Sequence, residues 1–174
     1  LDHRMPIRMC APVAPRGAVR PRRHRRGAGR RATFAWRIGI AAAVLIAAAL
    51  RWIALDRYPP GLHFDEAVYG LMARDIVAGA RPVFFPAYTG REPLYMYIMA
   101  LVFGGIGPSA FAIRWTSACI GIVTVPLTFA LGRALFGRRI GIVAAALLAV
   151  QYWHLTVSRN GYPNILIPPL EAAS

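Results

Sequence analysis

Long apolar runs constrain the possible fold of this chain more than any other feature. Three have the length of a membrane-spanning helix, at residues 34–55, 115–132 and 140–157, and another apolar run begins near residue 165. A helix of about 20 residues crosses the hydrocarbon core of a bilayer. The composition agrees, because 57% of the residues are hydrophobic and only 16% are charged. We therefore expect an all-α, polytopic integral membrane protein.

The first 33 residues are of a different kind. They combine several prolines with a dense run of arginines and show no apolar periodicity, which predicts a disordered tail. The formal net charge of +14 belongs largely to this tail, which suits anionic lipid headgroups. Because the positive-inside rule already explains basic residues before a spanning helix, a cytoplasmic tail is expected and a nucleic-acid partner is not.

The same rule predicts the topology of the remaining domain, residues 34–174. With the tail inside, the segment after the first span lies outside, while the link at 132–139, with three arginines, should be cytoplasmic. Both conditions hold only if the short apolar run at 93–106 is interfacial or re-entrant rather than spanning. Residues 56–114 then form one large external loop carrying interfacial helices, and residues 158–164 return to that face.

An acidic pair, Asp65 and Glu66, stands at the start of the external loop. One interpretation is structural: Asp65 is a suitable N-cap for a short interfacial helix over 66–77, which Gly79 would stop. The other is functional, because carboxylates beside a bilayer are costly and often belong to a site. The two interpretations are compatible.

The predicted topology brings further polar side chains to the same face: His63, Arg91, Arg114, Arg159, Tyr162 and Asn164. A carboxylate can take a proton from an acceptor hydroxyl, and guanidinium groups can bind a phosphate leaving group. This predicts Asp65 and Glu66 as catalytic residues and the other six as substrate-binding residues for a lipid-linked phosphosugar. The three arginines also lie at the ends of apolar segments. An alternative to substrate binding is therefore that their side chains extend to the lipid headgroups.

Three stretches in order carry a family resemblance: 62–66 (LHFDE), 91–95 (REPLY) and 113–115 (IRW) followed by 121–127 (GIVTVPL). They resemble the start of membrane C-type glycosyltransferases, and most of all the protein O-mannosyltransferase and aminoarabinose transferase group, families 39 and 83. The resemblance implies a polyprenyl-phosphate sugar donor, an inverting single displacement, and a protein, lipid or glycan acceptor outside the cytoplasm. It places the base at Asp65, with Glu66 as its partner, and the donor phosphate at Arg91 and Arg114.

The chain departs from the pattern of that family at two positions, Asn160 and Glu92. Asn160 stands where many relatives carry an aspartate after Ser158-Arg159, and His63 with the acidic pair is an incomplete ligand set, so no metal site is expected, with a divalent ion left as an alternative. Glu92 stands where relatives often have a proline, so its role is open.

Two other function classes remain open, a membrane transporter and a non-catalytic scaffold with a lipid-binding tail. The transporter is disfavoured because the centres of the predicted spans carry almost no ionisable residues. The apolar run near residue 165 suggests an N-terminal portion of a longer protein, inactive by itself. We expect a multi-pass protein of the bacterial plasma membrane.

Overall fold

The computed structural model describes residues 26–86 and 90–174, with side chains from Trp36 onward. It is all-α, as the apolar runs predict, and a single antiparallel bridge joins Phe85 to Arg91. Its seven helices are α1 (Arg26–Trp52), α2 (Phe64–Val77), α3 (Leu94–Ile106), α4 (Ala110–Phe136), α5 (Arg138–Val150), α6 (Tyr152–Arg159) and α7 (Ile167–Ala173), with a 3₁₀ turn at Pro163–Leu166 before α7.

Among the described residues, one helix is long and apolar enough to cross a membrane by itself, and that helix is α4, with 27 residues. The pair α5 and α6 meets the same criterion only when taken together, as a broken span bent by 54°. The break lies at Gln151, whose side chain accepts a hydrogen bond from the N–H of His154 and so caps α6. Helix α3 is apolar but shorter, with 13 residues. That α1 crosses the bilayer stays a prediction.

Helix α4 lies at the centre of the molecule. Its first half packs on α2 and α3 in a core that contains Tyr95, Met96 and Met99. Its second half packs on α1 and α5, where the core is made mostly of small side chains such as Ala47 and Ala145. Small residues allow helix backbones to approach closely, which favours helix association within a membrane. The long helix therefore connects the half that contains α2 and α3 to the half that contains α1 and α5.

The helix boundaries differ from the sequence-based ones in three places. Helix α1 begins at Arg26, upstream of the predicted span, so residues 26–33 are helical, while residues 1–25 of the predicted tail lie outside the described residues. Helix α4 continues to Phe136, so the link predicted at 132–139 is reduced to Gly137. With φ of 90°, Gly137 adopts a backbone conformation that glycine tolerates without strain. The predicted N-cap at Asp65 is wrong, because His63 holds that position.

Candidate functional site

The N-terminus of α2 is closed by a capping box rather than by Asp65. The side chain of His63 accepts a hydrogen bond from the N–H of Asp65 at 3.3 Å, and the Glu66 carboxylate accepts one from the N–H of His63 at 3.0 Å. The helix therefore begins one residue before Asp65, at Phe64. This register makes Asp65 the second helical residue and Glu66 the third, and side chains at successive positions leave a helix in different directions.

Glu66 is completely buried and is held by three separate segments. One oxygen, Oε1, accepts a hydrogen bond from the N–H of Gly161 at 2.7 Å, and the other faces a guanidinium nitrogen of Arg114 at 3.7 Å. Arg114 is itself only 3% exposed and also donates to the carbonyl of Gly61. A side chain at position 161 could not fit, since a Cβ there would lie 2.2 Å from Ile113. Glu66 thus joins the start of α2 to α4 and to the loop after α6.

Asp65 has the opposite environment, since 44% of its side chain is exposed. Its carboxylate lies 3.7 Å from Nδ1 of His63, and the His63 ring makes an edge contact with Tyr162, with centroids 6.0 Å apart. Burial, followed by the charges of Asp65 and Glu66, raises the pKa of Tyr162 above its ordinary value. The structure therefore brings together three of the predicted site residues, His63, Asp65 and Tyr162, and the carboxylate of Asp65 is accessible.

Tyr69 was not among the predicted site residues, although it lies on the same helix as Asp65, four residues further on. This spacing on a helix puts two side chains on one face and could have indicated it. The guanidinium carbon of Arg91 lies 5.8 Å from the centre of the Tyr69 ring. Burial raises the pKa of the Tyr69 phenol, with Arg91 acting in the opposite direction, so the phenol remains a neutral hydrogen-bond donor at pH 7.

Arg91 is held in place by its backbone and leaves part of its side chain available. Its N–H and C=O pair with Phe85 at 2.9 and 3.1 Å. Its buried Nε has no hydrogen-bond partner in the part of the chain that the structure describes. A half-buried guanidinium with an unused donor, beside a neutral phenol on the Asp65 face, is suited to binding a phosphate oxygen.

Two predicted site residues, Arg159 and Asn164, have surroundings other than the groups near Asp65. The guanidinium of Arg159 donates hydrogen bonds to five carbonyl oxygens at and just after the end of α1, those of Leu50, Arg51, Ile53, Ala54 and Tyr58. Asn164 is exposed and lines a cavity of about 430 Å³ with Gln151 and His154. Their contact with a substrate stays a prediction, as does that of the buried Arg114.

No group of three or more His, Cys, Asp and Glu side chains that could hold a metal ion occurs among residues 26–86 and 90–174. Near Asp65 the available groups are a carboxylate, an imidazole, two phenols and a guanidinium. They can move a proton and bind an anion.

The all-helical fold, with one helix of membrane-spanning length among the described residues, agrees with a class of membrane glycosyltransferases that use sugars linked to a lipid phosphate. Residues 89–174 match the family model described as dolichyl-phosphate-mannose-protein mannosyltransferase. No curated protein and no solved structure matches the chain. Arg91, Arg114, Arg159, Tyr162 and Asn164 lie within the matched residues, whereas His63, Asp65 and Glu66 precede them.

Proposed function

We propose that this chain transfers a sugar from a polyprenyl-phosphate donor to a protein, lipid or glycan acceptor outside the cytoplasm, with inversion at the anomeric carbon. The observation that carries the proposal is the difference between two adjacent carboxylates. Asp65 is accessible, whereas Glu66 is completely buried and engaged by protein groups. A general base must reach the proton that it removes. This supports Asp65 as the base and Glu66 as a positioning residue.

The transfer then takes place in one displacement. Asp65 accepts the proton of the acceptor nucleophile, whose atom forms a bond to the anomeric carbon of the sugar. The bond from that carbon to the phosphate oxygen breaks, and the electron pair leaves with the lipid phosphate. Arg91 stabilises the negative charge on that phosphate through charge-assisted hydrogen bonds. Tyr69 is only 5% exposed, and its contact with Arg91 supports the orientation of that guanidinium.

Two observations support the assignment of Arg91 to the donor phosphate. Its Nε has no hydrogen-bond partner among residues 26–86 and 90–174, and Tyr69 connects it to the helix face that carries Asp65. Arg114 is only 3% exposed, with one guanidinium nitrogen directed to Glu66 and Gly61, and Arg159 donates to backbone carbonyls. In this mechanism they hold the site together rather than contact the reacting atoms.

The test is transfer of radiolabelled sugar from crude polyprenyl-phosphate donors in membranes that hold the full-length protein. Asp65→Asn removes the base without a change in size, so we expect transfer to fall by about 10²- to 10⁴-fold. The matched control is Asp75→Asn, which changes another exposed aspartate of α2 and should keep wild-type activity.

Protein abundance and thermal unfolding must be measured beside activity. We expect both to be unchanged in Asp65→Asn, because the side chain is accessible and its Oδ atoms make no buried hydrogen bond in the capping box. Wild-type transfer by Asp65→Asn would remove Asp65 as the base. A complete absence of sugar transfer by the wild-type protein, with solute flux detected instead, would favour the transporter.

A further inference from the structure

The end of the molecule opposite to Asp65 carries arginines gathered around one tryptophan. Trp36 on α1 stacks on Phe129 of α4, with ring centroids 5.7 Å apart and an angle of 13° between the planes. The guanidinium carbons of Arg37, Arg133 and Arg138 lie 5.6, 5.9 and 5.8 Å from the centre of the Trp36 ring. These four side chains, here named the Trp36 cluster, come from α1, the last turn of α4 and the start of α5.

No carboxylate balances the charge of the Trp36 cluster in the part of the chain that the structure describes. There, the ion pairs join Arg57 to Asp56, His63 to Asp65, and Arg114 to Glu66. Three cations around one ring lie within about a Debye length of each other and repel. The positive-inside rule explains arginines on this side of the membrane, and cation–π attraction explains their contact with the indole, but neither neutralises the three positive charges. An anion would remove the repulsion.

Two further groups beside these arginines can donate to an anion. The Nε1–H of Trp36 is buried and has no hydrogen-bond partner among the residues whose side chains the structure describes. Helix α5 starts directly after Gly137, and no side chain caps its first turn. Free N–H groups and the helix dipole at such a terminus attract phosphate. The cluster thus combines guanidinium forks, an indole donor and an uncapped helix N-terminus.

The position along α4 indicates where the anion comes from. Arg114 near the start of α4 and Arg133 near its end are separated by about 30 Å at 1.5 Å per residue, the thickness of a bilayer hydrocarbon core. The Trp36 cluster therefore lies at headgroup level in the leaflet opposite to Asp65. Large apolar side chains next to it are exposed and could contact acyl chains: Leu135, Phe136 and Ile140.

We propose that the Trp36 cluster binds the phosphodiester headgroup of an anionic membrane lipid. Guanidinium groups recognise phosphate oxygens with bidentate geometry, and basic pockets between helices on the cytoplasmic side bind such headgroups. This site is separate from the proposed catalytic site and does not depend on its chemistry.

The test is a titration of the purified full-length protein in neutral detergent with dioctanoyl phosphatidylglycerol, followed by native mass spectrometry. Phosphatidylcholine of the same chain length and inorganic phosphate serve as comparison probes. The double variant Arg133→Gln/Arg138→Gln should raise the apparent Kd for phosphatidylglycerol about tenfold, the size of effect expected from losing a charge-assisted contact. Arg139→Gln is the matched control, because Arg139 is adjacent, exposed and not on the Trp36 ring; its Kd should change by less than about twofold.

Three results would overturn the proposal. Equal affinity for phosphatidylglycerol and phosphatidylcholine would exclude recognition of the anionic headgroup. An equal loss in Arg139→Gln and in the double variant would show a diffuse charge effect without a built site. Displacement of the lipid by inorganic phosphate at matched concentration would show a free-phosphate site instead.

A second variant keeps the proposal testable if the double variant fails to fold in lipid-free detergent. Trp36→Phe keeps an aromatic ring against Phe129, removes the buried donor and replaces the indole by a smaller ring. We expect it to weaken phosphatidylglycerol binding about threefold, the value of one net hydrogen bond. Unchanged affinity in a folded Trp36→Phe protein would also count against the proposal.

Discussion

Asp65 and Glu66 are neighbours in sequence, yet the fold gives them different surroundings. Side chains rotate by about 100° per residue around a helix, so the second and third helical positions face different directions. Glu66 turns back to the cap and into the protein, while Asp65 stays accessible. The family resemblance predicted Asp65 as the base and Glu66 as its partner, but the sequence could not show the burial of Glu66, because Gly161 and Arg114, which engage it, are distant in sequence.

Replacement of Glu66 should therefore affect folding before it affects chemistry. In Glu66→Gln the charge of the buried Arg114 loses its partner, and the new amide NH₂ group meets backbone N–H donors. Breaking a buried pair from one side costs about 3–5 kcal/mol. We expect a large fall in the thermal unfolding temperature of the full-length protein in detergent and little folded material in membranes.

The control for that variant is Glu92→Gln, since Glu92 is exposed in the segment before α3. It should unfold at the wild-type temperature. If Glu66→Gln proved as stable as the wild type but inactive in sugar transfer, Glu66 would be a catalytic residue after all, as the sequence predicted.

At the scale of helices, the apolar runs predicted the presence of each helix better than its first and last residues. A short helix that ends at Val77 is confirmed, although it begins at Phe64 rather than at residue 66, and the run at 93–106 contains a short helix. That either helix lies in the membrane interface stays a prediction. The link at 132–139 was assigned to a loop from its glycines and arginines, but backbone hydrogen bonds continue α4 to Phe136. Turn signals in the sequence cannot show how far a helix continues when packing supports it.

Arg51 shows what the sequence could not reveal about α1. It was placed near the end of the first predicted span, where an arginine usually reaches the headgroups. The structure buries it completely, with its guanidinium donating to the carbonyls of Ala47 and Ala149 at 3.1 Å and contacting Nδ1 of His154 at 2.7 Å. All of these partners except Ala47 come from α5 and α6, so only the fold brings them together.

The end of α1 also depends on Arg159, which joins its last carbonyls to the end of α6. A cation at a helix C-terminus satisfies free carbonyls and complements the helix dipole. Arg159→Gln should lower the free energy of unfolding by about 2 kcal/mol, measured by thermal unfolding of the full-length protein in detergent.

Arg57→Gln is the matched control for the Arg159 variant, because the side chain of Arg57 is 80% exposed and pairs only with Asp56. It should be neutral for stability. An Arg159→Gln protein that unfolds at the wild-type temperature but binds the donor weakly would instead support the substrate-binding role predicted from the sequence.

For the whole molecule, charge patterning predicts which side of the membrane each end occupies. In a background with both cysteines changed to serine, Asp75→Cys on α2 should react with a membrane-impermeant maleimide in intact cells. Arg139→Cys at the start of α5 should react only after permeabilisation. The two positions are exposed at opposite ends of the molecule.

The opposite labelling pattern would place Asp65 on the cytoplasmic side and contradict the proposed external acceptor. Labelling of both positions in intact cells would indicate that α4 does not span the membrane. Orientation is predictable from sequence because it depends on the sum of charges near each span, whereas the contacts of Glu66 and Arg51 depend on the fold.

The hydrogen bond from Gly161 to Glu66 also has a consequence for biosynthesis. The two residues are 95 positions apart, and a ribosome adds roughly 5–20 residues per second. The Glu66 carboxylate therefore exists for roughly 5–20 s before its partner amide has been made. During that interval the nascent chain carries an acidic group without its final partner. The hydrogen bonds around Glu66 can be completed only after α6 and residue 161 have been synthesised.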